Sequence, residues 1–181
     1  MYKRQIKWWG NYDEQAEIFK NYTYVIGIDM YLNESSYFYD IILPECHYLE
    51  RTEPLPHAAN NHRVIGGMNN PWTVPVWQKV VEPRDGAPSS WELFGELASR
   101  AGKNAEFIST LNMMFRVKEE YAIPLDQKLD VEAFADSILK SNIDEEHDFA
   151  WLKEHAVYDH PRTVDEVYIW AGEKPGRVPM Y

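Results

Sequence analysis

Two short apolar runs separated by a polar and then aromatic link constrain this chain more than anything else in it. The first, YVIGID over residues 24–29, is apolar until it ends on an acid. The second, DIILP over residues 40–44, is shorter still and stops at a proline, which has no N–H to give a ladder. The link between them (NESSYFY, 33–39) reads as a turn entering a short helix. Strand, helical link and strand make a compact unit that suits parallel pairing better than a hairpin. The expected fold class is therefore α/β, with an open, largely parallel sheet flanked by helices, and Tyr24–Asp29 as a buried strand.

Around that unit the chain changes character twice. Residues 52–75 carry Pro54, Pro56, Pro71 and Pro75, the Gly66-Gly67 pair and asparagines at Asn60, Asn61, Asn69 and Asn70, the marks of a long irregular loop. Loops of that length in a compact domain are usually functional or pack on something else. Val76 to Val81 reads as an extended approach strand. The C-terminal half is helical. Ser89 and Glu92 have capping-box spacing ahead of an apolar face made by Trp91, Leu93, Phe94, Leu97 and Ala98, and Gly102 ends that helix. Further helices are expected over 106–121, 131–140 and 145–155, and near the N-terminus a helix over 14–20 capped by Asp13. The stretch 163–170 reads as extended.

Composition narrows the function. Eighteen basic against 29 acidic residues give a net charge of −11, which argues against nucleic acid or an anionic membrane as the partner. No apolar run approaches the roughly 20 residues of a spanning helix, so no membrane insertion is expected, and Met1 opens no signal-peptide pattern. A single cysteine, Cys46, excludes internal disulfides and an all-cysteine zinc or iron–sulfur site. The six histidines include no pair at helical i, i+4 spacing, and no P-loop, GxSxG or GxGxxG is present. The aromatic share of 14%, with seven Trp and twelve Tyr, points to rings that are normally covered.

Three residues are candidate ligand contacts. Asp29 ends its strand where open α/β sheets bind ligands. A carboxylate there accepts two bonds side by side, which suits the ring N–H and amine of guanine or a ribose diol, but it equally suits capping the next turn. Arg51 offers a planar fork for phosphate, or a surface pair with Glu53. Ser89 either caps its helix or faces a ligand at the positive end of the helix dipole. Trp72, Trp77 and Trp91 have no interleaved basic residues and read as core or interface.

The run from Tyr24 to Pro54 resembles a segment of the molybdopterin oxidoreductases of the dimethyl sulfoxide reductase family. The shared pattern is an apolar strand ending in an acid (Val25 to Asp29), a turn with Asn33-Glu34-Ser35, then Asp40-Ile-Ile-Leu-Pro44 and Leu49-Glu50-Arg51. Residues 78–83 and 89–94 are similar to the family's approach to its next helix, and 175–181 (PGRVPMY) to the junction before its C-terminal domain. The chain departs from the pattern at Tyr39, where the family prefers Ala, and at Ser89, where it usually has Asp.

This resemblance implies a cofactor, bis(molybdopterin guanine dinucleotide) with Mo or W. Its guanosine contacts would fall on Ile28 and Asp29, with Arg51 and Ser89 nearby. It also implies that the metal ligand and any iron–sulfur cluster belong to other parts of the parent enzyme. The chain is then expected to be one α/β domain over 1–181, a piece of a larger catalytic subunit, with 172–181 approaching a following domain. It would have no catalytic residue of its own. Its expected partners are the remaining domains of that subunit, with room for an iron–sulfur electron-transfer subunit, and self-association through exposed apolar surface. Two other classes compete: an interaction module that keeps the scaffold without cofactor, and a Tyr/Trp-rich carbohydrate-binding domain, which would be mostly β.

Overall fold

A computed structural model describes residues 11–54 and 73–159. The central part of the expected loop (55–72), the extended stretch over 163–170 and the junction over 172–181 lie outside the described residues, as do His57, His62 and Trp72. Among the described residues there are five α-helices and four short strands. That is broadly α/β, and the predominance of helix removes the mostly-β carbohydrate module. No helix among them is long and apolar enough to cross a membrane. The chain divides into two compact units, one built from residues 11–53, 78–109 and 124–131, the other from 54, 73–77, 110–123 and 132–159.

In the first unit, α1 (Tyr12–Phe19) starts two residues earlier than expected, because Asn11 rather than Asp13 is its cap and accepts from the Asp13 N–H. Its Phe19 ring stacks on Phe38 at 5.4 Å, which places the helix against the link. β1 (Ile26–Asp29) and β2 (Ile41–Pro44) pair in parallel, in register from Ile26↔Ile41 to Asp29↔Pro44. The link forms a 3₁₀ turn over Glu34–Phe38. Parallel pairing is as expected, but the described sheet goes no further than these two strands. A parallel strand is normally buried on both faces by further strands and helices. Without them Ile26, Ile41 and Ile42 are exposed, so β1 is not the buried strand its sequence suggests. Gly27 alone in β1 is buried.

α2 (Ser90–Arg100) has the expected box, with Ser89 and Glu92 bonding reciprocally, and Gly102 at φ +68° closes it. The apolar face differs from expectation. Phe94 and Leu97 are exposed, and the buried position is Gly95, where an added Cβ would come within 3.4 Å of Leu129 Cβ. Val76 to Val81 makes no strand, though the N–H groups of Val80 and Val81 both reach the Leu49 carbonyl.

The second unit holds most of the described apolar core. The boundary between units falls inside α3 (Asn104–Met114), which ends well short of Tyr121 because Arg116 turns to φ +51°. α4 (Val131–Asn142) buries Phe134, Ala135, Ile138 and Leu139, one stripe of a 3.6-residue period. Phe134 meets Phe115 edge-to-face at 5.2 Å. α5 (Phe149–His155) starts later than the expected Glu145 because Asp148 caps it, accepting from the Trp151 N–H. β3 (Thr73–Pro75), inside the expected loop, pairs antiparallel with β4 (Val157–Asp159).

Candidate functional site

Asp29 ends β1 and carries the strongest chemistry. Its Oδ2 accepts from the Asn33 side-chain amide. Asn33 in turn does the capping: its Oδ1 accepts from the Ser35 N–H at 2.8 Å, while its own N–H donates to Ser36 Oγ at 2.9 Å. The turn after β1 is therefore closed by Asn33, and Asp29 serves it only at one remove. Among the described residues the second oxygen of Asp29, Oδ1, accepts no hydrogen bond. At the other end of β1, Asp40 Oδ2 accepts from the Val25 N–H at 2.7 Å, and its own N–H donates back to the Val25 carbonyl. Asp40 thus clamps the start of the strand pair.

Tyr39 is built into the same corner. Its ring lies over Gly27, 1.9 Å from where a Cβ would be. Burial, with the Asp29 charge adding to it, pushes its phenol up, although a hydrogen bond with the Ser35 side chain works the other way. The departure at Tyr39 is accommodated by the missing side chain of Gly27.

Arg51 is engaged from within. Its Nη1 donates to Glu45 Oε1 at 2.7 Å and to the Cys46 carbonyl at 3.1 Å, and its Nε donates to Glu53. The Arg51 and Glu45 side chains are 18% exposed and Glu53 10%, so this is not the loose surface pair anticipated with Glu53 alone. Burial works against the Arg51 charge, but Glu53 and Glu45 more than offset it and hold its pKa above the usual value. Glu53 Oε2 also accepts from Trp91 Nε1 at 2.6 Å. Trp91, expected as core or interface, is a hydrogen-bond donor that ties α2 to this carboxylate.

Ser89 is a capping residue. It is 2% exposed, and its hydroxyl donates to Glu92 Oε2 at 2.8 Å while accepting from the Glu92 N–H. The dipeptide Glu45-Cys46 links the three candidates. The Glu45 N–H donates to the Asp29 carbonyl, the Cys46 carbonyl accepts from Arg51, and the Cys46 N–H donates to the carbonyl of Pro88, next to Ser89. Cys46 itself is buried, and that burial raises its thiol pKa against the opposing Arg51 charge, the environment of an inert thiol. Ile28 sits in register with Leu43 and contributes backbone next to Asp29.

A guanine edge presents two adjacent donors, and Asp29 fits them. Oδ1 is open, and Oδ2 has a second lone pair beyond the one Asn33 uses. Arg51 Nε and Nη1 and the Ser89 hydroxyl have their bonds within the protein. Of the proposed contacts, the Asp29 carboxylate and the Arg51 Nη2 group keep hydrogen-bonding atoms without a partner among the described residues. Asn33 and Glu45 were not singled out from sequence. Asn33 was legible through its spacing to Ser36, while the Glu45–Arg51 pairing, six residues apart in a loop, follows no period.

No group of three or more metal-ligating side chains occurs among the described residues. His147 turns its Nδ1–H to both Asp144 oxygens, at 2.8 and 2.9 Å, and packs against Trp151 and Tyr158.

No protein-family model and no solved structure matches the chain. Two curated proteins do. Over 78 residues, 43% of this chain, it is 36% identical to the thiosulfate reductase molybdopterin-containing subunit PhsA of Salmonella typhimurium. Over 109 residues, 60% of the chain, it is 26% identical to the trimethylamine-N-oxide reductase of Pasteurella multocida. The matched stretches make up 9% and 12% of those proteins, so the chain spans about a tenth of their length. The chain is thus similar, over part of its length, to a molybdopterin-containing reductase subunit and to a trimethylamine-N-oxide reductase.

Proposed function

We propose that this chain is a segment of a molybdenum or tungsten oxidoreductase catalytic subunit and binds one guanosine end of a molybdopterin guanine dinucleotide. The partial identity to a molybdopterin-containing thiosulfate reductase subunit and to a trimethylamine-N-oxide reductase supports the class. The observation that carries the site is the Asp29 carboxylate, at the carboxyl end of a parallel strand with Oδ1 open among the described residues. When bound in the parent enzyme, the cofactor supplies the metal-centred redox chemistry. This segment binds and orients. Ile28 contributes backbone, Ser89 fixes the start of α2, and Arg51 holds the Glu45-Cys46 stretch behind Asp29 through Nε and Nη1 while its Nη2 is left to meet a phosphate. The chain has no activity alone, and its partners are the remaining domains of that subunit.

The test is a titration of the ¹⁵N-labelled 181-residue chain with GMP at millimolar concentration. Selective shifts at Ile28, Asp29 and Asn33 support the reading. An unchanged spectrum overturns it. The internal engagement of Arg51 and Ser89 favours a second reading, a scaffold that keeps this architecture for protein contacts without cofactor. That reading expects the unchanged spectrum.

A further inference from the structure

Asp29 was open to two roles from sequence, capping the following turn or meeting a ligand, and the hydrogen bonds divide those roles between two residues. Asn33 caps, through Oδ1 to the Ser35 N–H and through the reciprocal bond from its own N–H to Ser36 Oγ. With Oδ1 fixed in that way, the amide plane is set and its Nδ2 is aimed at Asp29 Oδ2. Asp29 is left with one oxygen tethered and one open. We infer that Asn33 is a positioning residue, holding the Asp29 carboxylate by one oxygen so that it meets a purine presenting two adjacent N–H donors. This deepens the guanosine reading and rests on it.

The physical basis is orientation. A free carboxylate at a strand end rotates about χ2 and meets water from any angle, so a ligand must arrest it. A carboxylate already held by a fixed amide loses less freedom on binding. It also stays a double acceptor, because each oxygen has two lone pairs and Asn33 uses only one of the four. Guanine, with ring N–H and exocyclic amine side by side, satisfies both oxygens, whereas hypoxanthine supplies only the ring N–H. Asn33 should therefore act on discrimination between these bases as well as on affinity.

The Asn33→Asp variant isolates the effect. It keeps an acceptor for the Ser35 N–H and nearly the same shape, while replacing the donor to Asp29 with a second carboxylate. The exchanged pair D29N/N33D restores a donor–acceptor bond with the roles reversed and controls for folding. GMP and IMP are titrated into each full chain by ¹⁵N NMR. The wild-type chain should prefer GMP to IMP, and N33D should weaken GMP about tenfold, the scale of one hydrogen bond to a charged group, and lose that preference. D29N/N33D should recover the wild-type spectrum of residues 30–38 without recovering GMP binding. If the wild-type chain binds GMP and N33D binds it equally well with the same preference, the positioning role is overturned while the guanosine reading stands. If the wild-type chain binds no GMP, both fall.

Discussion

The ring of Tyr39 occupies the space that a side chain on Gly27 would need, with Cδ2 1.9 Å and Cε2 2.1 Å from an ideal Cβ there. Gly27 is in β1, Tyr39 directly precedes Asp40 at the mouth of β2, and the contact closes the link over the strand pair. Each residue explains the other. An aromatic ring at 39 is possible because position 27 has no Cβ.

Gly27→Ala should therefore cost about 2 kcal/mol, the usual scale for overpacking, since a rigid ring cannot withdraw as a flexible side-chain end would. Tyr39→Ala should largely remove that penalty in the double variant. Urea denaturation of the four chains measures this coupling, and additive effects would show that the ring and the strand are independent.

Arg51 joins two carboxylates and a carbonyl in a half-buried cluster. Arg51→Met leaves Glu45 and Glu53 facing each other without a cation and should cost about 3 kcal/mol. Arg51→Lys should recover only part of this, because an ammonium cannot copy a fork that reaches Glu45 and Glu53 from different nitrogens. Chemical denaturation midpoints order the three chains.

Asp144 gives the second unit an acid-sensitive contact. Burial works against its charge, but the His147 and Glu146 N–H groups and the His147 ring more than offset this and hold its carboxyl below the usual value of 3.8. For a carboxylate whose folded pKa is depressed, the contributed stability is full above the unfolded value and is lost as pH falls through the folded one. Stability should thus decline as pH drops below about 4. In Asp144→Asn that part of the decline should be absent, as read from denaturation midpoints between pH 2 and 6.

Ala156 ends α5 at φ +66°, where its N–H reaches the Leu152 carbonyl and its own carbonyl accepts from Val76. A Cβ is strained in that conformation. Ala156→Gly should raise stability by about 0.5–1 kcal/mol, the relief exceeding the added freedom of the unfolded chain. A lower melting temperature would contradict this.

What could be read from sequence was what local chemistry determines. The parallel pairing of β1 and β2 followed from a strand, a short helical link and a strand stopped by Pro44. The Ser89–Glu92 box and the Gly102 stop followed from capping geometry. Burial was harder to read. Ile26 and Ile42 have the composition of a covered strand, but covering depends on neighbours, and the described sheet has two strands. At the candidate site Asp29 was legible from its place at a strand end. The holders were not: Glu45 and Glu53 reach Arg51 across irregular backbone, and Trp91 reaches Glu53 from 38 residues away. The end of α3 was misjudged for a related reason, since Arg116 has no turn signature in its own identity yet adopts a left-handed conformation.

The crossover between β1 and β2 has one more consequence, for the order of events in folding. Ile26 pairs with Ile41 and Asp29 with Pro44, each fifteen positions apart, with a single 3₁₀ turn between the strands. Parallel pairings usually wait for a long connection to form and so tend to be late and slow. Here the loop to be closed is short, its entropic cost is correspondingly small, the Asn33 cap lies within it, and the Asp40 clamp ties its end back to Val25 just ahead of β1. The register of the strand pair is thus set within residues 25–44, at a small loop-closure cost, while its exposed faces leave its lasting stability to whatever packs on them.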